Sequence, residues 1–183
     1  RASPVMDRGP PRPGDVIADC EIVRMIGSGG MAAVFLARHR TLQRDVAIKV
    51  INADATTPPE LRTRFAREQR IAAAIDHPNV IPIYAAGEED GRLYLVMRYV
   101  DGPDLGAVVR VEGPLALERV LAIVRQIAAG LDGAHVRGLI HRDIKPENVL
   151  LDGDHVYITD FGIAKVVGHL DTASTGEGTM LGT

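Results

Sequence analysis

His141-Arg142-Asp143-Ile144-Lys145-Pro146-Glu147-Asn148, followed twelve residues later by Asp160-Phe161-Gly162, is the part of this chain whose reading decides the rest. It sets an acid, a cation and an amide in one loop and a second acid in another. A loose, in-line phosphoryl transfer asks for positioning and charge neutralisation more than for covalent help. Asp143 can accept a hydroxyl proton, and Lys145 can offset charge on a transferring phosphate. Asn148 and Asp160 can supply hard oxygen ligands to Mg²⁺, which takes few protein ligands and bridges phosphates. Alone, the first motif also reads as a polar turn after a helix, and the second as a strand end with a turn glycine. Their order and spacing together favour the chemical reading.

The two motifs resemble the catalytic loop and the Asp-Phe-Gly motif of protein kinases. Asp143-x-Lys145-Pro146-x-Asn148 is similar to the serine/threonine branch, since tyrosine kinases typically lack that lysine, and Gly27-Ser28-Gly29-Gly30-Met31 resembles the bacterial, Hanks-type members. The resemblance implies an α+β, bilobal fold: an N-lobe with an antiparallel sheet and one main helix, and a mainly helical C-lobe, present in part. It implies ATP and Mg²⁺ (or Mn²⁺) as cofactors, protein Ser/Thr hydroxyls as acceptors, and self-association for trans-autophosphorylation. The runner-up reading is an ATP-binding regulatory or pseudokinase-like module with little activity of its own.

Composition agrees with a globular domain. The 183 residues are 46% hydrophobic and 25% charged, and a net charge of −3 gives nucleic acid no bulk attraction. The single cysteine, Cys20, cannot form an internal disulfide and suits a reducing compartment. No apolar run is long enough to span a membrane, and the Arg/Pro-rich N-terminus lacks the apolar core of a signal peptide. A cytoplasmic location is expected, with a membrane anchor conceivable in a region outside this sequence. Residues 1–14 read as a disordered lead-in, 15–100 as the N-lobe, 101–105 as a hinge, and 106–183 as a partial C-lobe ending in the activation segment.

Upstream, the chain has to supply a nucleotide site. Strand signals run from Val16 to Ile26 and lead into Gly27-Ser28-Gly29-Gly30-Met31-Ala32-Ala33-Val34. Glycines let a backbone approach a polyphosphate and offer it N–H groups. A dinucleotide fold needs a helix directly after the glycines, yet Ala33–Arg38 reads as a strand, and no Gly-Lys-Ser/Thr follows to make a Walker loop. A glycine-rich hairpin over nucleotide phosphates is the kinase arrangement, here with Ala32 in place of the third glycine. The next strand, Asp45–Ile51, carries Lys49, which the resemblance assigns to the α and β phosphates. Thr57-Pro58-Pro59-Glu60 starts a helix, and Leu61, Phe65, Glu68, Ala72 and Ile75 fall on one face of it. A carboxylate inside an apolar stripe needs a cation, and Lys49 is the expected partner of Glu68.

Strands are expected over Val80–Ala86 and Leu93–Val100. By the resemblance, Met97 guards the back of an adenine pocket, the Arg98–Val100 backbone bonds its edge, Asp104 sits near the ribose, and Ile26, Val34, Ala47 and Leu150 enclose the ring. Gly106–Val111 reads as a short helix. A long one over Leu117–Arg137 carries apolar residues at spacings of three and four, and Gly138 ends it. His141 is expected to be a packed scaffold. The chain stops before an Ala-Pro-Glu motif, so the long helix is expected to keep an uncovered apolar face. Beyond Gly162 the resemblance implies an activation loop ending in Gly182-Thr183, with Thr175 the first-choice phosphosite ahead of Thr172, Ser174 and Thr179.

Overall fold

The computed structural model describes residues 9–29, 32–52 and 59–161. The expectations for Gly30, Met31, the Thr57 cap, Gly162 and the activation segment lie outside them. Six strands form one antiparallel sheet: β1 (Val16–Ile17), β2 (Cys20–Ser28), β3 (Ala32–His39), β4 (Arg44–Asn52), β5 (Ile83–Glu89) and β6 (Arg92–Arg98), in spatial order β1-β2-β3-β4-β6-β5. Helix α1 (Pro59–Ala73) makes the excursion from β4 to β5. The second half contains α2 (Leu105–Glu112), α3 (Leu117–His135), a 3₁₀ turn (Pro146–Asn148) and the hairpin of β7 (Val149–Asp152) with β8 (His155–Ile158). No described helix is long and apolar enough to cross a membrane.

The alternation of β4 builds the site. With a side-chain period of two, Val46, Ile48 and Val50 pack with Ile22, Phe35 and Val96 on one face of the sheet. Ala47 and Ile51 join Phe65, Leu95, Met97 and Tyr157 on the other, and Lys49 falls in phase with them. Phe65 is fully buried, which anchors α1 to the same face that carries the lysine.

Two expectations are corrected. The strand expected over Val16–Ile26 is broken where Ala18 and Asp19 take left-handed φ of 52° and 59°, and Asp19 then accepts hydrogen bonds from the Thr41 backbone and hydroxyl. The strand expected from Val80 begins at Ile83, because Val80 and Ile81 are drawn to the second half instead: Ile81 N–H bonds to Ile158 O, and Ile158 N–H to Asn79 O, both at 2.9 Å. The uncovered apolar face expected of α3 is present. Ile123, Gly130 and Ala134 are buried, while Leu117, Leu121 and Val124 stay 67%, 44% and 51% exposed. The lead-in is described from Gly9, and there it is held: Arg92 donates to Gly9 O at 2.7 Å, and Arg12 N–H to Asp15 Oδ2 at 2.8 Å. Cys20 is fully buried, and burial pushes its thiol up to about 11, so it is an inert packing residue.

Candidate functional site

A cleft of about 470 Å³ lies between the sheet and the β7–β8 hairpin. Ile26, Gly27, Val34 and Ala47 line it from the sheet, Met97 to Asp104 from the connection, and Leu150 from the opposite side. The connection is fixed by backbone pairing: Leu151 N–H bonds to Pro103 O at 3.0 Å, and Asp104 bridges to Leu150. Asp104 also caps α2, accepting from Ala107 N–H at 2.7 Å. Ser28, Gly29 and Ala32 lie at the hairpin tip, where Gly29 N–H bonds to Ala32 O at 2.9 Å. The sequence reading gave no place in the cleft to three lining residues: Arg24, Glu147 and Thr159. Arg24 is two residues before Ile26 on the same strand, so the period of two could have suggested it.

Of the residues expected to react, Asp160 lines this cleft, and Lys49 pairs with it at 2.9 Å. His141 is buried; Asp143 N–H donates to its Nδ1 at 3.3 Å, which leaves Nε2–H to donate to Thr159 O at 2.8 Å. Its ring stacks on Phe161 with centroids 4.6 Å apart. His141 is therefore a scaffold linking the catalytic loop to the strand that delivers Asp160. Asn148, also buried, donates through Nδ2 to Asp143 O at 2.8 Å and Oδ2 at 3.3 Å. Its Oδ1 remains as an oxygen for a cation. Arg142 and Asp160 hold left-handed φ of 67° and 66°, strain of about 1–3 kcal/mol each that such sites commonly store.

Lys145 Nζ lies 2.9 Å from Asp143 Oδ2. The hydrogen bond from Lys145 lowers the Asp143 carboxyl below the ordinary carboxylate value, aided by the lysine's charge and by Asn148 against a small desolvation cost. Reciprocally, the bond to Asp143 raises Lys145. A lowered carboxylate stays ionised, and so able to accept a proton, to lower pH than a free one. In Lys145→Gln the acidic limb of the pH–kcat/KM profile is expected to move to higher pH. A limb that stays in place would contradict this electrostatic role.

The expected Lys49–Glu68 pair is replaced by two others. Lys49 Nζ lies 2.9 Å from Asp160 Oδ2, and Arg142 Nη1 is 3.3 Å from Glu68 Oε1. The position of α1 is the physical reason: Gln69 occupies the fully buried phase of the helix, its side-chain nitrogen and oxygen without hydrogen-bond partners, and Glu68 is turned toward the catalytic loop. Among the described residues no group of three or more His, Cys, Asp or Glu gathers as a metal cage. One amide and one carboxylate, Asn148 and Asp160, are a donor set suited to a Mg²⁺ shared with phosphates.

Comparison with known proteins identifies the arrangement. The family described as "Protein kinase domain" matches residues 20–181. The serine/threonine-protein kinase PknE of Mycobacterium bovis is 43% identical over 173 residues, which cover 94% of this chain and 30% of that protein. PknH of Mycobacterium tuberculosis is 42% identical over 173 residues, 94% of this chain and 27% of its own length. A crystal structure of the Mycobacterium tuberculosis PknI kinase domain superposes with a TM-score of 0.76 at 39% identity, covering 85% of this chain and 64% of that one. The chain thus spans under a third of these curated relatives and under two thirds of that solved kinase domain. With a family match across most of its length, the chain belongs to the protein kinase family, on the side of the bacterial serine/threonine kinases.

Proposed function

We propose that this chain carries the nucleotide cleft and reacting groups of a kinase that transfers the γ-phosphoryl group of ATP to Ser/Thr hydroxyls of proteins. The observation that supports it most is the Asp143 carboxylate, held ionised by Lys145 and fixed by Asn148, close in the chain to a cleft of about 470 Å³ with apolar walls at Ile26, Val34, Ala47 and Leu150. In the proposed step the acceptor oxygen forms a bond to the γ-phosphorus, the bond from that phosphorus to the β,γ-bridging oxygen breaks, and ADP leaves. The hydroxyl proton passes to Asp143, and Lys145 offsets charge on the moving group. Mg²⁺ held by Asn148 and Asp160 would neutralise the phosphates when bound.

Autophosphorylation belongs to the same proposal. A phosphate on the activation segment, with Thr175 the first choice, would compete with Glu68 for Arg142 and release Glu68 to Lys49. The observed pairs Lys49–Asp160 and Glu68–Arg142 give the regulatory reading its support, since they tie up groups that transfer requires elsewhere. The test is Mg²⁺-dependent transfer of labelled γ-phosphate from ATP, with the full-length protein, to itself and to a generic basic protein. Label on Ser/Thr, mapped to Thr175, is the expected result. Mg²⁺-dependent ATP binding without transfer would favour the regulatory module, and absence of ATP binding would overturn both.

A further inference from the structure

A side chain outside the site, Arg137, reaches from the second half to the C-terminal end of α1. Ala74 closes the last turn of the helix, its N–H reaching Arg70 O and Ile71 O at 3.2 Å each. Carbonyls at such an end have no partner within the helix, and Arg137 Nη1 donates to Ala74 O from 63 residues away in sequence. Arg137 sits on a stiff turn. Gly138 takes φ +74°, Gly138 N–H bonds to His135 O at 2.8 Å, and Leu139 N–H bonds to Ala134 O at 3.0 Å, a Schellman closure of α3. The same turn feeds directly into His141 and Asp143. Leu139 is buried in one cluster with Ala72 and Ile75 at the base of α1.

We infer that Arg137 is a positioning residue that pins the pivot of α1 and so sets where Glu68 points. The inference rests on the kinase reading above. Glu68 stands six residues before the pin, about 9 Å along the axis at about 1.5 Å per residue. A tilt of about 20° about Ala74 moves that level of the helix by about 3 Å, about the length of the Arg142–Glu68 contact itself. With the end unpinned, the helix slides as well as tilts, and the exchange of Arg142 for Lys49 loses its geometry. A cationic donor is needed, because the target is the negative end of a helix.

The test compares Arg137→Gln and Arg137→Lys with wild type in the full-length protein, reading hydrogen exchange over residues 70–78, and kcat and KM for Mg·ATP. In the Gln variant, exchange in that segment is expected to rise about tenfold and kcat to fall about tenfold, because small misplacements at a reacting centre are costly. KM for ATP should stay within about twofold, since Arg137 lines no part of the cleft. Lysine is expected to restore both. Unchanged exchange, unchanged kcat in an active protein, a lysine variant no better than glutamine, or exchange raised throughout β2–β4 would each overturn the inference. Inactive wild type would instead count against the kinase reading, and the exchange comparison would still test the pin.

Discussion

Asp143→Asn is expected to lower turnover by about 10²- to 10⁴-fold, the usual contribution of a positioned general base. ATP affinity should stay within about twofold. The asymmetry follows from the geometry. The Asp143 side chain is engaged by Lys145 at 2.9 Å and Asn148 at 3.3 Å, and it is not among the residues lining the nucleotide cleft. Asparagine keeps the size and one oxygen, so the loop retains its shape, but it cannot take a proton near neutral pH. Steady-state turnover beside Mg²⁺-dependent ATP titration, both in the full-length protein, separates the two effects. Equal loss of both would mean that Asp143 supports the cleft and not the acceptor hydroxyl.

The second large effect concerns stability. A Cβ at Gly102 would fall 1.9 Å from Leu151 O and 3.1 Å from Leu151 C. Both are backbone atoms of a paired strand and cannot rotate away. The hinge would have to lift from β7, losing the Leu151 N–H to Pro103 O bond and the Asp104–Leu150 bridge that hold the floor of the cleft. Overpacking of this kind costs about 1–3 kcal/mol and at times more, against a total of about 5–15 kcal/mol for a typical domain. Gly102→Ala is therefore expected to lower Tm by about 5–10 °C and to weaken ATP binding. Gly27→Ala is the control for stability, because its Cβ would meet only Val34 Cβ at an ordinary 3.9 Å. Equal Tm values for the two variants would show that the hinge moves without cost.

Much of the site was legible because its groups are close in sequence. Asp143, Lys145 and Asn148 share one tight loop, and local chain geometry alone brings them together. Asp160 follows at the end of a hairpin whose turn residues, Asp152-Gly153-Asp154, announce themselves. The strands expected from Ala33, Asp45 and Leu93 were readable, those expected over Val16–Ile26 and from Val80 only in part, and Gly138 marked the end of α3 as only a residue tolerant of left-handed φ can. Groups that meet across the fold were not readable in the same way. At about 100° per residue, Glu68 and Gln69 fall about 50° to either side of the line joining Phe65 and Ala72. Periodicity between these two therefore leaves either one free to take the buried position.

The sequence by itself determined the family and the loop that gathers Asp143, Lys145 and Asn148, because the motifs that carry them are short and local. Only the tertiary structure decided that Lys49 pairs with Asp160, that Glu68 meets Arg142, and that Arg137 ties off α1. Charge attraction is long in reach and indifferent to sequence distance. Which of several carboxylates a cation meets therefore depends on where packing has set the helix.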